Sequence, residues 1–325
     1  MNVRFSRRSI TDVSLLVLVN LMWAAQYSAY KVAGEKMGPV TVSAWTFLIA
    51  SLVLLPFMAW ERRRTQVQAA SDGPVSAMHG PSERALLKKQ NATGFLMIGL
   101  LGLVPASAFL AWGESRSSAS NAALIYLTVP IITALLASMI LNERMTLARW
   151  ASLLVSLVGV LILSDFDWRH LQLASSKYLL GNILVLLACA SSSFYNVYCK
   201  ELLRRFTPLE VLIYGYILAF VASVPVVLCV ERFSLAAIRD FRPSTWLALV
   251  VLSALSWGLA MVLWMFLLKR LDVSQASISI YLLPFLGVLI SAVTLKEKVT
   301  TTMAVGGLVT MAGTILVTAT EPTSL

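Results

Sequence analysis

A few side chains able to hold a solute stand inside long apolar runs of this chain. They are Asn20, Trp23, Tyr27 and Tyr30, then Trp112, Asn121, Tyr126 and Thr128, then Ser192, Tyr195 and Asn196, and finally Trp257, Trp264, Gln275, Ser279 and Tyr281. Their chemistry is recognition rather than bond-making: amides and hydroxyls donate and accept hydrogen bonds, and aromatic faces hold apolar bodies and cations. Asn20, Trp23, Tyr27 and Tyr30 recur at helical spacing and form one stripe, with Gln26 beside it. An enzyme would need an acid, base, nucleophile or metal site. His79 and His170 lie between the apolar runs, Ser191, Ser192 and Ser193 have no base nearby in sequence, and Cys189, Cys199 and Cys229 lack metal-ligand spacing. The reading is a non-enzyme with no cofactor and no metal.

The runs are equally informative for what their middles lack. Glu114, Glu143 and Glu297 stand only at edges, and Lys31, Arg116 and Lys200 only at rims. A proton relay would place a carboxylate or histidine near the midplane, and a phosphorylated solute would need a deep Arg or Lys; neither is present. Glu143 and Glu297 are expected to be structural, capping helix ends or pairing with Arg144 and Lys298.

The elements that must position these residues follow from solvent preference. The chain is 58% hydrophobic and 13% charged, where a soluble domain carries about 25% charge. Stretches free of Asp, Glu, Lys and Arg cover 13–30, 37–60, 90–113, 117–142, 150–164, 178–199, 211–230, 243–268, 273–295 and 299–320. Nearly all reach the roughly 20 residues that a helix needs to cross the hydrocarbon, and they are continuously apolar rather than alternating as barrel strands are. The expectation is an all-α integral membrane protein of ten transmembrane helices. The short fifth run fits if the helix starts near Met145 and Arg149 snorkels to the interface.

The chain also contains itself twice. Lys31, Pro39 and Pro56 recur 169 residues on as Lys200, Pro208 and Pro225; Pro130, Glu143 and Gly159 recur 154 residues on as Pro284, Glu297 and Gly313. Arg116, Ser120, Ala122 and Thr146 share the second register with Arg270, Ser274, Ala276 and Thr300. Five spans per copy oblige the second copy to enter the membrane from the opposite side, giving inverted repeats. The reading divides the chain into an N-terminal segment at 1–12, a first repeat at 13–165 with a mobile loop at about 62–90, a connection at 166–177 and a second repeat at 178–320. Pro130 and Pro284 fall at matching mid-span positions, where a proline kinks or breaks the helix, and are hinge candidates.

The net charge of +10 fits span ends facing anionic lipid head groups rather than nucleic acid. Arg4, Arg7 and Arg8 with the cluster Arg62, Arg63 and Arg64 place both termini in the cytoplasm by the positive-inside rule. Membrane lipids and a small-molecule substrate are the expected partners, and a homodimer is left open.

In two copies, an apolar helix with a central proline ends in a glutamate and is followed by a helix with a glycine near its far end. In the first copy these are Ala122 through Pro130, Leu141-Asn142-Glu143-Arg144, then Gly159-Val160 and Ile162; in the second, Ala276 through Pro284, Leu295-Lys296-Glu297-Lys298, then Gly313. With Trp23, Lys31 and Pro39 as its opening, this order resembles the EamA-type branch of the drug/metabolite transporter superfamily over essentially the whole chain; Ala24 departs from the glycine that often follows that tryptophan. The resemblance implies a ten-helix bundle in the cytoplasmic membrane, with a central cavity lined by the first, third and fourth helices of each repeat. It would move small organic solutes by alternating access. Aromatic candidates suit neutral, amphipathic or zwitterionic solutes such as amino acids. The alternatives are a lipid-linked-sugar flippase of related architecture and, more remotely, a membrane-embedded enzyme or a scaffold.

Overall fold

The computed structural model describes residues 7–71, 89–164, 173, 175–295 and 299–320. Those residues form ten helical spans: α1 (Arg7–Gly34), α2 (Pro39–Ser71), α3 (89–114), α4 (119–141), α5 (Leu147–Leu163), α6 (Ser176–Leu202), α7 (Pro208–Cys229), α8 (243–270), α9 (273–295) and α10 (Thr301–Thr320). Nine are long and apolar enough to cross a membrane, and α5 is a shorter apolar helix. With backbone bonds closed inside each helix, this architecture satisfies its polar groups in hydrocarbon.

Two boundaries differ from expectation. Helix α1 is described from Arg7, so it already includes Asp12, which is buried with its Oδ1 3.8 Å from Arg270 Nη1. Helix α2 continues to Ser71, so the loop expected from residue 62 is helical in its first ten positions; 72–88, with His79, lies outside the described residues, as does His170.

The two copies are antiparallel and meet about a pseudo-two-fold axis that runs through repeat mates. Phe47 of α2 stacks on its mate Tyr216 of α7, with ring centroids 5.5 Å apart and planes 20° apart. Between α5 and α10, Ser156 Oγ donates to the Thr310 carbonyl at 3.3 Å and the mate Thr310 Oγ1 donates to the Ser156 carbonyl at 3.5 Å. Small residues allow this crossing: a side chain at Gly159 would strike Thr310 and Gly306, and one at its mate Gly313 would strike Ser156. The copies interleave, since α1 packs on α8 and α9 while α6 packs on α3 and α4.

Both ends of the α2–α7 pair are tied. At one end the Val40 and Thr41 N–H groups and Thr41 Oγ1 donate to the Glu231 carboxylate at 2.9, 2.7 and 2.6 Å, which completes the open N-terminus of α2. At the other, Arg62 donates to Glu210 and to Tyr214 Oη at 3.0 and 2.8 Å, and Glu210 closes a capping box with Thr207. The pair α2–α7 is therefore a frame beside which the remaining helices form the site.

Candidate functional site

Repeat-related breaks shape the centre. Helix α4 is interrupted by a turn at Leu127–Thr128, immediately before Pro130, and α9 by a 3₁₀ segment at Ile278–Tyr281, before Pro284. Side chains take up carbonyls around the breaks: Tyr281 Oη donates to Leu127 at 2.8 Å, Thr128 Oγ1 to Ile125 at 2.6 Å, Ser193 Oγ to Val129 at 3.1 Å and Ser279 Oγ to Ala276 at 2.8 Å. Leu127 and Tyr281 are themselves mates, so the breaks face one another near the axis. A second matched irregularity lies in the third helices, where π-helical segments occupy Ile98–Leu103 of α3 and Val251–Ala260 of α8. π-Segments recur at functional sites because they re-aim side chains within a helix.

The predicted site residues divide by what they meet. Asn20 is fully buried, and its Nδ2 donates to the Leu16 carbonyl at 2.8 Å and to Ser279 Oγ at 3.0 Å. Those bonds fix the amide orientation, which leaves Oδ1 an unpartnered acceptor. Trp23 tilts against Trp264, centroids 5.1 Å apart, and Trp264 Nε1 donates to Asn196 Oδ1 at 2.9 Å. Asn196, expected to present its amide to solute, thus spends its oxygen on Trp264 and its Nδ2 on the Ser192 carbonyl. Trp257 is half-buried and donates to Tyr30 Oη at 3.0 Å. Tyr195 is buried against Gly102, and Gln275 is buried with Nε2 on the Val317 carbonyl. Trp112 and Tyr126 remain half-buried. Asn121 Nδ2 and Ser117 Oγ share Asn182 Oδ1, at 3.3 and 2.6 Å. Of the cysteines, Cys189 and Cys199 are buried and Cys229 is exposed at the end of α7, all free. The Tyr27 side chain and Glu297 lie outside the described residues.

Sequence reasoning missed a charged cluster at the end of the bundle that holds Glu143. Glu143 does not pair with Arg144: its carboxylate accepts from Val273 N–H at 2.8 Å, Ser274 N–H at 3.0 Å and Ser274 Oγ at 2.6 Å, capping α9 of the other repeat. Asn142, left-handed at φ 58°, ends α4 and swings Glu143 across. Arg149 does not snorkel to the interface. It is buried, with Nη2 2.5 Å from Asp272 Oδ2, Nη1 2.8 Å from Ser274 Oγ and 3.9 Å from Glu143. Lys200 Nζ donates to the Leu271 carbonyl at 2.6 Å and stands 3.6 Å from Asp272. Two acids and two bases thus tie α4, α5, α6 and α9 together. The signal available in sequence was Arg149 placed where the fifth span is too short to waste a residue.

The two ends of the bundle are consequently unequal. At the Glu143 end every residue of Val273–Ser277 is buried, against Val129–Leu141 of α4. At the opposite end the mate segment, 119–123, has Asn121 and Ala122 buried but Ser120 half-buried and Ala123 exposed, and no comparable seam joins Ala119–Tyr126 to Leu282–Leu295 among the described residues. The mates of Arg149, Asp272 and Lys200 are Met303, Ser118 and the exposed Lys31, so the cluster is not duplicated.

The sequence model of the EamA-like transporter family matches residues 11–165 and again 179–319. The chain belongs to the EamA-like transporter family. It is 27% identical over 308 residues to a probable terminal-alkyne amino-acid exporter of Streptantibioticus cattleyicolor, covering 93% of this chain and 91% of that one. An uncharacterised transporter of Archaeoglobus fulgidus is 24% identical, with 94% and 97% covered. A solved crystal structure superposes with a TM-score of 0.72 at 19% identity, covering 96% of both chains, which is a likeness of fold. This EamA-family chain is accordingly a multi-pass membrane protein of transporter type.

Proposed function

We propose that this EamA-family chain moves neutral or zwitterionic, amphipathic organic solutes such as amino acids across the cytoplasmic membrane by alternating access. The observation that carries the reading is the matched pair of breaks before Pro130 and Pro284 combined with unequal ends: α4 and α9 are sealed at the Glu143 end and form no comparable seam at the other among the described residues. Exchange of that seam between ends about the pseudo-two-fold axis would expose a central site to each side in turn. Solute would rest above Trp23 and Trp264, in reach of half-buried Trp112, Tyr126 and Trp257. Charged side chains gather at the Glu143 end, away from that site, which favours solutes without net charge. The similarity to a probable amino-acid exporter points to the same chemical class. The Glu143 end is assigned to the cytoplasm, with both termini, from the basic residues clustered there.

The test is uptake and counterflow in proteoliposomes with a panel of amino acids, other small metabolites and a lipid-linked sugar, with and without a pH gradient. Counterflow of a neutral or zwitterionic solute, reduced in Trp23→Ala, is the expected result. Movement of the lipid-linked sugar alone would establish the flippase instead.

A further inference from the structure

Most glycines described in the spans have a neighbour that explains them. A side chain at Gly113, Gly159, Gly181, Gly306, Gly307 or Gly313 would strike Val185, Thr310, Arg116, Leu163, Phe285 or Ser156. Gly287, in the middle of α9, is different: no described atom lies within 4 Å of where its Cβ would stand. Glycine is the costliest ordinary residue in a helix interior after proline, and in membrane helices close helix contact usually accounts for it. Here close contact does not.

The direction of Gly287 follows from Ile280, two turns earlier on the same face of α9. Ile280 packs on the buried cluster of Ala122, Val129, Val185 and Cys189, which belongs to α4 and α6 and which Leu110 of α3 and Tyr126 of α4 also border. That face therefore looks into the bundle, and Gly287 looks toward the end at which no comparable seam joins α9 to the first half of α4 among the described residues. Its repeat mate, Thr133, occupies the corresponding place at the sealed end and is fully buried. One position of the pair is packed while the other borders open space.

Resting on the transport reading above, we propose that Gly287 sets the width of the path between the open end and the central site, and so limits the bulk of the solute that reaches it. A branched side chain there would project into that open space. It would exclude bulky aromatic or branched solutes before small ones. A single methylene in an apolar pocket changes discrimination about 10- to 200-fold, so Gly287→Leu should separate large from small solutes by tenfold or more.

Two arms test this in protein whose three cysteines are replaced by serine. In the first, Ile280→Cys is labelled in proteoliposomes by membrane-impermeant thiol reagents of graded head-group size, with Gly287 or Gly287→Leu. The expected result is that Gly287→Leu slows the bulkiest reagent roughly tenfold or more, while the smallest changes less than about threefold. Equal rates for all reagents in both backgrounds would overturn the proposal without reference to any solute. In the second, Gly287→Ala, Gly287→Val and Gly287→Leu are compared for counterflow of small and bulky amino acids, with graded loss for the bulky ones expected. Unchanged selectivity across the series, with correctly folded protein, also overturns it. If the wild-type protein moves no amino acid, the transport reading fails by itself and the labelling arm still decides the width.

Discussion

Replacing Glu143 by glutamine tests whether the charged cluster holds one end of the bundle shut. The carboxylate accepts three hydrogen bonds from Val273 and Ser274 and faces Arg149 at 3.9 Å. Glutamine keeps one acceptor oxygen and turns an NH₂ toward donors, so it strands at least one buried N–H or O–H and removes the negative charge beside a buried guanidinium. Arg149 keeps Asp272 as its closer partner, so the loss is chiefly that of buried donors left unsatisfied, about 1–3 kcal/mol. If α4 and α9 part at this seam during transport, that loss weakens the sealed state relative to the open one. At 1.4 kcal/mol per tenfold, the open fraction should rise by roughly ten- to a hundredfold at the upper part of that range. Ser277, fully buried at the seam, supplies the reporter. As Ser277→Cys in protein otherwise free of cysteine, it should be nearly inert to a water-soluble maleimide, and adding Glu143→Gln should accelerate labelling at least tenfold. Asp272→Asn should act in the same direction and more weakly, because its side chain is partly exposed. Unchanged protection of Ser277→Cys in folded Glu143→Gln protein would refute the lock. Faster labelling accompanied by an equal rise in a buried reporter far from the seam would show general unfolding instead.

Asn196→Leu should strand Trp264 Nε1–H and lower stability by about 1–3 kcal/mol, and a double-mutant cycle with Trp264→Phe in thermal melts should recover most of that loss. Trp23→Ala should impair counterflow at least as much as Tyr27→Ala, since Trp23 lies one turn deeper; a silent Trp23→Ala beside a damaging Tyr27→Ala would displace the central site. Gly159→Leu should lower thermal stability by about 1–3 kcal/mol or prevent folding by overpacking the α5–α10 crossing, as measured by melting in detergent against Gly287→Ala, which should be near neutral. Labelling of single cysteines in intact cells should reach Ser175→Cys from outside but not Ser76→Cys, and the reverse pattern would invert the orientation.

The number of spans, their helical nature and the inverted duplication could be read from sequence because each rests on a local or periodic property. Apolar length fixes a spanning helix, and Lys, Pro and Gly recurring at two constant offsets fix the repeat, since those residue types constrain solvation or backbone wherever they stand. The registers even name the pairs that meet on the axis, Phe47 with Tyr216 and Ser156 with Thr310, although nothing local says that mates touch. Partner choice was decided by tertiary structure alone. Glu143 stands one residue from Arg144 in sequence, yet it caps a helix 130 residues away, because a left-handed Asn142 turns it across the seam. Arg149 was expected in the interface and is buried, since Asp272 and Ser274 reach it from the other repeat. Asn196 was readable as polar and inward, but only the packed bundle shows that Trp264 takes its oxygen. The inequality of the two ends was likewise beyond the sequence. Two copies of one unit share their local preferences, and which end is sealed depends on how α4 and α9 pack in the conformation observed.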